Sequence, residues 1–371
     1  MSFQQISIRN FRAIASLEID NIKQVNLLTG KNNCGKTSVL EAISLLVWMS
    51  YPQAAVTVHN WRGLVLNNDK DFSYLFHGFD FSRSPSLTGR EKSRQRTLDI
   101  KPVYPASAGT VGQIPGQYES PESGPVPGAS LTGDVPGGLA FDFGVDGKPF
   151  HAEMKIIQGT AANYPGAGGQ VNVQQVNVQS EQNYRESLRA NFINPATITA
   201  GLYQRIEAIL VRKESGGIIN ALREIEPNLQ DIRLGTGQMI YADIAGMGRL
   251  VPINIMGDGI SKILAILSAI LETKGGILLI DEIENGLHYS ALVPLWRAIF
   301  KMARESNTQL FIATHSYECI GAMTEVYRDM GLGEDFISSY RIDRDAEGQH
   351  RAFQYEPDAL LFAMKNNFEV R

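Results

Sequence analysis

The chain has 371 residues, of which 43% are hydrophobic and 20% are charged. This composition is ordinary for a globular protein, and the length suits one large or two modest domains. The formal net charge of −5 excludes the general basic surplus of a protein whose whole surface binds DNA. Any nucleic-acid site must therefore be local or lie on a partner.

The two cysteines, Cys34 and Cys319, are too few for a disulfide framework, and no Cys-x-x-Cys spacing indicates zinc. This usage favours a reducing compartment. The first residues lack the basic start and apolar stretch of a signal peptide. The longest apolar run, 39–49, contains Glu41 and is too short to span a bilayer. We therefore expect a cytoplasmic protein with no membrane partner.

The first predicted elements have the order that a phosphate-binding loop requires. Alternating apolar residues predict strands over 3–11 and 14–19. A short apolar strand at 26–29 runs into a glycine, and a helix rich in leucine, isoleucine and valine is predicted over 38–50. Strand, glycine-rich turn and helix is the context in which a phosphate loop occurs.

The composition changes between residues 82 and 182. Residues 82–96 are polar and basic, 101–140 are crowded with proline and glycine, and 166–182 are rich in glycine, glutamine and asparagine. This pattern predicts an insertion of loops and short hairpins that does not form part of a core.

Helices and apolar strands alternate in the second half of the chain. The predicted elements are helices within 184–226, over 261–274 and over 289–305, a hairpin of 238–243 with 249–255, and buried strands over 276–281 and 310–314. Continuous apolar strands between helices indicate an α/β fold with a mainly parallel sheet that is covered on both faces.

Residues 30–37 match the phosphate-loop pattern GxxxxGK[ST] in full. The glycines let successive N–H groups face a phosphate, and the following helix adds its N-terminal dipole. Lys36 would neutralise phosphate charge, and the Thr37 hydroxyl would bind Mg²⁺, so ATP and Mg²⁺ are the expected cofactors. The thiol of Cys34 is either a small filler or a redox switch. The predicted nucleotide-binding residues are Gly30, Lys31, Asn32, Asn33, Cys34, Gly35, Lys36, Thr37 and Ser38.

Two acids end the apolar strand predicted at 276–281. The strand would deliver Asp281 next to Thr37, where its carboxylate orders the Mg²⁺ water shell. Glu282 would then face the attacking water as general base. Buried strands often end in acids, but after a complete phosphate loop this pair predicts hydrolysis.

The next apolar strand runs into Thr314 and His315. A histidine at a strand end is usually structural, but beside a phosphate loop it is predicted to sense the terminal phosphate and hold the water. The predicted catalytic residues are thus Lys36, Glu282 and His315. The turn at 284–288 either touches a second subunit or is a capped helix start.

With these motifs, the chain resembles the head domains of ABC-type ATPases. More narrowly it resembles the stand-alone AAA-15 and AAA-21 ATPases, relatives of the SMC and RecF heads and of the overcoming-lysogenisation-defect ATPases. The resemblance implies a P-loop NTPase with a mainly parallel core sheet, an antiparallel β subdomain and a helical lobe. The head would comprise 1–81 and 183–371, with 82–182 as the insertion. The matching segments are 8–11, the phosphate loop, 256–259, 281–288 and 313–316.

The resemblance also implies a head-to-tail dimer, or a higher even oligomer, in which a signature segment caps the nucleotide of the partner copy. Residues 256–262 stand where the usual form has Leu-Ser-Gly-Gly-Gln, with Gly257, Asp258 and Gly259 as the predicted nucleotide contacts, and the usual serine is replaced by Gly257. Backbone N–H groups or Ser261 are the candidate substitutes. No glutamine is assigned to a Q-loop. Arg12 is either exposed or approaches the nucleotide, as in related heads.

Relatives in this group often work with an effector such as a nuclease. A fused Toprim domain would need more chain than 316–371 provides, so the resemblance implies a separate effector, such as a Toprim-type nuclease, in phage defence or DNA maintenance. The 82–182 insertion is a candidate docking surface. The basic run at 83–96 is either a local nucleic-acid contact or a solvated loop.

Two other functions remain open from the sequence. The first is a nucleotide-dependent scaffold or sensor with negligible turnover, which the altered signature segment favours. The second is the nucleotide-binding subunit of a transporter, against which the missing Leu-Ser-Gly-Gly-Gln and the long insertion argue. A small-GTPase function is disfavoured because no Asn-Lys-x-Asp motif occurs.

Overall fold

The computed structural model describes residues 2–64, 69–104, 136–157, 175–180 and 184–366. The strands in these residues are β1 (Phe3–Phe11), β2 (Ile14–Ile19), β3 (Val25–Thr29), β4 (Ser86–Glu91), β5 (Gln95–Val103), β6 (Gly138–Val145), β7 (Lys148–Ile157), β8 (Gln175–Ser180), β9 (Ala190–Ile193), β10 (Leu229–Leu234), β11 (Ile240–Ile244), β12 (Val251–Pro252), β13 (Ile277–Ile280), β14 (Gln309–Ala313), β15 (Ile337–Arg344) and β16 (His350–Tyr355). The α-helices are α1 (Lys36–Val47), α2 (Ala54–Asn60), α3 (Leu202–Val211), α4 (Gly216–Arg223), α5 (Asp258–Glu272), α6 (Leu292–Ser306), α7 (Tyr317–Asp329) and α8 (Pro357–Lys365).

The core is a six-stranded sheet in the order β16-β15-β3-β14-β13-β9. All neighbouring pairs are parallel except β15 with β16. Every residue of β3, β13 and β14 is buried. Such continuous burial occurs because both faces of a parallel sheet are covered by other elements. The α/β fold with a mainly parallel sheet is therefore confirmed.

A second, antiparallel sheet has seven strands in the order β2-β1-β4-β5-β6-β7-β8. Strand β1 buries the side chains of Phe3, Ile6, Ile8 and Phe11, and its other side chains are exposed or half-buried. One face of this sheet therefore contacts the core and the other is polar.

Short hairpins are present in 82–182, as β4 with β5 and β6 with β7, but the prediction that this segment forms no part of a core is wrong for its described part. Strands β4 to β7 extend the sheet begun by β1, and they bury Leu87, Leu98, Ile100 and Phe141 completely or nearly so. The half-polar alternation of these strands was masked in the composition by the proline and glycine of 105–135, which lies outside the described residues together with 158–174. The domain limits at 82 and 182 stay a prediction.

Helix α1 lies between the two sheets. Its residues from Ser38 to Val47 are all buried, so the helix is covered on every side, and most of these residues are apolar. Leu28 of β3, Ile43 of α1 and Phe141 of β6 belong to one hydrophobic cluster that joins the sheets. A second cluster covers the opposite face of the parallel sheet and is built mainly from α3 to α7. The phosphate-loop helix is thereby fixed within the core.

The prediction that 184–226 is helical is wrong at the start of this segment. Helices α3 and α4 lie in the segment predicted as helical, but β9 at its start is a strand that pairs in parallel with β13. Four residues are too few for a distinct pattern, and each residue of β9 pairs with one 87 positions later in the sequence, so tertiary contacts decide its structure. The predicted hairpin is present as β11 and β12, and β10 pairs with β11 on its other side.

The carboxyl ends of β3, β13 and β14 meet at one edge of the parallel sheet. Gly30, Asp281 and Thr314 follow these three strands directly. Loops at this edge of an open α/β sheet are where ligands bind. In the described residues, no helix is both long and apolar enough to cross a membrane.

Candidate functional site

The phosphate loop begins and ends in glycines that have positive φ. Gly30 has φ +140° and Gly35 has φ +100°, values that side chains rarely tolerate. A Cβ at Gly30 would lie 2.4 Å from the carbonyl oxygen of Ile342 and 2.6 Å from Sγ of Cys34. The loop conformation therefore requires glycine at position 30. Cys34 is buried, as expected for a small filler.

The loop can receive an anion. Helix α1 has no side-chain cap at Gly35, so the N–H groups of its first turn have no side-chain acceptor there. Nζ of Lys36 donates to the carbonyl oxygens of Gly30 at 2.7 Å and Lys31 at 2.9 Å. Its ammonium group is thus held over the loop. A helix N-terminus beside a lysine is a donor set that fits phosphate.

Thr37 and Asp281 are in contact: Oγ1 of Thr37 donates to Oδ2 of Asp281 at 2.8 Å. Burial, helped by the nearby charges of Glu282 and Glu41, raises the pKa of Asp281. A hydroxyl and a carboxylate are oxygen ligands that suit Mg²⁺, which keeps several waters and also binds substrate phosphates. Among the described residues, no group of three or more His, Cys, Asp or Glu side chains could hold a metal by itself.

Glu282 has φ +50°, a left-handed conformation that is uncommon outside glycine. Oε2 of Glu282 accepts a hydrogen bond from Nδ2 of Asn285 at 3.1 Å. Strained backbone of this kind persists where the surrounding structure holds it in place. The turn after β13 therefore fixes the carboxylate of Glu282 beside Asp281.

The carboxylate of Glu284 binds His315. Its Oε1 accepts from the backbone N of His315 at 3.1 Å and lies 3.3 Å from Nδ1 of the ring. The Glu284 side chain is 12% exposed, whereas that of His315 is 49% exposed. His288 at the end of this turn accepts from the backbone N of Ser290, which matches the capped-start interpretation of 284–288.

One cavity of about 690 Å³ gathers the predicted residues from both ends of the chain. Sequence reasoning missed several of its lining residues, most importantly Arg62 and Arg344, because neither lies in a recognisable motif. The lining residues are Ala13, Asn32, Asn33, Gly35, Lys36, Thr37, Ser38, Arg62, Asp281, Glu282, Ala313, Thr314, His315 and Arg344.

Arg12 is buried, so its interpretation as an exposed residue is wrong. Its Nε lies 2.7 Å from Oε2 of Glu41, a carboxylate with no exposed side-chain surface. Arg62 binds the same carboxylate through Nε at 2.7 Å and Nη2 at 3.0 Å. An isolated acid inside an apolar helix carries no pattern that would reveal such a pairing.

The signature segment lies outside this cavity. Gly257, which has φ +101°, caps α5, and both Gly257 and Asp258 are exposed. Ser261 is only 7% exposed. Nζ of Lys262 donates to the backbone oxygen of Asn285 at 3.0 Å, which links α5 to the turn after β13. A nucleotide contact by this segment therefore stays a prediction that involves a second copy.

The basic run at 83–96 does not form a uniform surface. Arg83 pairs with Asp80 and Arg94 with Asp146, both at the surface. Arg96 is buried and pairs with Glu186. The predicted nucleic-acid contact thus loses Arg96 from its surface.

The fold and the site together define the chain as a P-loop ATPase of the ABC type. The family model described as "AAA ATPase domain" matches residues 1–215, and a second model, AAA-21, matches 175–320. The chain therefore belongs to the AAA ATPase domain family, and its activity class is ATP hydrolysis.

Individual relatives agree with this assignment. A Helicobacter pylori protein named "ATP/GTP phosphatase" is 25% identical over 379 residues, which span 97% of this chain and 99% of that protein. The DNA replication and repair protein RecF of Shewanella denitrificans is 33% identical over 101 residues, 27% of each chain. A solved SMC head, bound to the C-winged helix domain of ScpA, covers 98% of this chain and 100% of its own at 12% identity with TM-score 0.50. That structure supports the fold alone.

Proposed function

We propose that this chain binds ATP with Mg²⁺ in the 690 Å³ cavity and hydrolyses it to ADP and phosphate. The observation that carries the proposal is the 2.8 Å hydrogen bond from Thr37 to Asp281. It brings the phosphate loop and the acidic strand end together at one point, although they lie 244 positions apart in sequence. The cavity that contains this contact also holds a lysine, a further carboxylate and a histidine.

Each of these groups has a proposed role. The ammonium of Lys36 exchanges loop carbonyls for phosphate oxygens. Thr37 and Asp281 hold Mg²⁺, which neutralises phosphate charge when it is bound. Glu282 accepts the proton of the attacking water, and the ring of His315 contacts the terminal phosphate. The barrier is lowered mainly by positioning and by fixed charge.

The proposal includes a head-to-tail dimer. Gly257, Asp258 and Gly259 are proposed to cap the nucleotide of the second copy, and the exposure of the first two at the start of a 15-residue helix supports this role. The burial of Ser261 leaves backbone N–H groups as the hydrogen-bond donors of the cap.

The proposal extends to a partner and a process. We infer that the ATP cycle gates a separate effector protein, such as a Toprim-type nuclease, in phage defence or DNA maintenance. The naming of the partial relative RecF as a DNA replication and repair protein, and the protein partner of the solved SMC head, support this direction.

Turnover and binding of ATP by Lys36→Ala and Glu282→Gln test the proposal. Glu282→Gln is expected to lower kcat by about 10²–10⁴-fold while ATP still binds, because only proton transfer is removed. Lys36→Ala is expected to weaken binding itself. Glu18→Gln on the exposed end of β2 is the matched control and retains full activity. Unchanged turnover in Glu282→Gln refutes the assigned base.

A nucleotide-dependent scaffold is the second candidate function. It is favoured by the signature segment, in which position 257 has no hydroxyl and Ser261 is buried. Light scattering of the Glu282→Gln protein with ATP and with ADP measures the dimer, and steady-state turnover of the wild type separates the two functions. A dimer that forms with ATP while the wild type shows no turnover supports the scaffold.

A further inference from the structure

Arg62 and Arg344 are the two cationic lining residues of the cavity that no motif predicts, and Arg62 is the one that a buried carboxylate holds. It follows α2, lies outside the phosphate loop and the two strand ends, and its side chain is 36% exposed. The same cavity is lined by Thr37, Asp281 and Glu282. Asp281 lies close enough to Arg62 for their charges to interact. Arg62 thus lies on the side of the cavity where the proposed metal ligands and general base meet.

A buried carboxylate holds the guanidinium of Arg62. Nε and Nη2 bind the two oxygens of Glu41 at 2.7 and 3.0 Å, a two-point contact that fixes the plane of the group. Nη2 also donates to Oγ of Ser38, the residue after Thr37, at 3.2 Å. Next to it in sequence, the ring of Trp61 stacks on Phe192 of β9 at 3.9 Å between centroids. The side chain is therefore held in place.

This arrangement leaves one edge of the guanidinium unused. Nη1 of Arg62 has no hydrogen-bond partner among the described residues. Glu41 is also paired with Arg12, whose side chain is 9% exposed. Two cations therefore share one buried anion, and the more exposed of the two lines the cavity, where the carboxylate of Asp281 also lies near it.

We propose that Arg62 contacts the terminal phosphate of the bound nucleoside triphosphate through Nη1, with Glu41 as its positioning residue. This inference rests on the proposed function. Arginine suits the task because its planar fork can bind a carboxylate at one edge and a phosphate oxygen at the other. A contact to the terminal phosphate stabilises the triphosphate and leaves the diphosphate unaffected.

Nucleotide discrimination tests the inference. In the Glu282→Gln background, the dissociation constants of Mg·ATP and Mg·ADP are measured by calorimetry with and without Arg62→Gln. Loss of one charge-assisted hydrogen bond is expected to weaken ATP binding about tenfold or more and ADP binding less than about twofold. Arg62→Lys retains the charge but not the planar guanidinium. Its dissociation constant for Mg·ATP is expected to lie between those of the Glu282→Gln parent and of the Arg62→Gln variant.

Controls keep the outcomes distinct. Arg83→Gln makes the same change at an exposed arginine paired with Asp80, and it is expected to leave both constants unchanged. Thermal unfolding without nucleotide shows whether each variant folds. If Arg62→Gln does not fold, the inference is tested on Arg62→Lys, by the ratio of its dissociation constants for Mg·ATP and Mg·ADP. Equal weakening of ATP and ADP, or no weakening, overturns the inference. If the Glu282→Gln parent binds no ATP, the proposed function itself fails.

Discussion

Glu41→Gln is expected to destabilise the protein markedly, although glutamine has nearly the same size and shape as glutamate. The Glu41 side chain has no exposed surface and faces two arginines, at 2.7 Å from Arg12 and at 2.7 and 3.0 Å from Arg62. Glutamine offers one carbonyl oxygen and turns an amide N–H₂ towards a cation. The buried positive charge of Arg12 would then lack its counter-charge.

The magnitude follows from the burial of the two partners. Removing one member of a buried ion pair costs about 3–5 kcal/mol, because the remaining charge stays desolvated. The Arg62 half contributes less, since its side chain is 36% exposed and water screens it. We therefore expect a loss of about 3 kcal/mol in the free energy of unfolding, mostly from Arg12.

Urea unfolding of the nucleotide-free protein, followed by tryptophan fluorescence, measures this loss. Trp48 and Trp61 lie near the ion pairs of Glu41, and the centroids of their rings are 5.8 Å apart. Glu18→Gln is the matched control, because Glu18 is 55% exposed and lies 4.0 Å from Arg9. Its cost is expected to stay below about 0.5 kcal/mol. A loss under about 1 kcal/mol for Glu41→Gln would refute the reasoning.

Two further predictions concern the turn after β13. Burial raises the pKa of Asp281 in the folded protein above its ordinary 3.8, so the cost of keeping it charged is absent below pH 3.8, grows as the pH rises from there, and is complete above the folded pKa. Asp281→Asn is therefore expected to raise the melting temperature at pH 7 but not below pH 3.8, and an equal rise at both pH values contradicts it. Glu284→Ala is expected to lower kcat about tenfold with little change in KM, because His315 loses the acceptor at its Nδ1. Glu284→Gln keeps an acceptor and should retain most of the activity, and a common loss in both variants would argue for a different role.

The local motifs of this chain can be recognised in the sequence because their chemistry needs fixed residue types at fixed spacing. A phosphate loop requires glycine at 30 and 35 and a lysine and a threonine directly after, so the whole motif lies in consecutive residues. The strands before Asp281 and Thr314 are apolar throughout because both faces of a parallel sheet are buried. Sequence alone therefore predicted the fold class and the meeting of three strand ends.

The errors occur where the sequence signal is short or dispersed. Strand β9 has four residues and is held by its pairing with β13, and β4 to β7 alternate between apolar and polar residues beside long proline- and glycine-rich stretches. Strand β9 pairs with β13 and strand β4 with β1, both far away in sequence, although β4–β5 and β6–β7 are hairpins. Neither periodicity nor composition reports such pairing.

The sequence by itself determined that a phosphate loop, an acidic strand end and a histidine strand end exist in an α/β chain. Only the tertiary structure decided what surrounds them. Glu41 lies in α1, Arg12 in the turn between β1 and β2, and Arg62 in the turn after α2, and nothing in their spacing relates them. They meet because α1 is buried between two sheets, where a carboxylate without exposed surface requires a cation within reach. That requirement places Arg62 in the cavity beside Asp281.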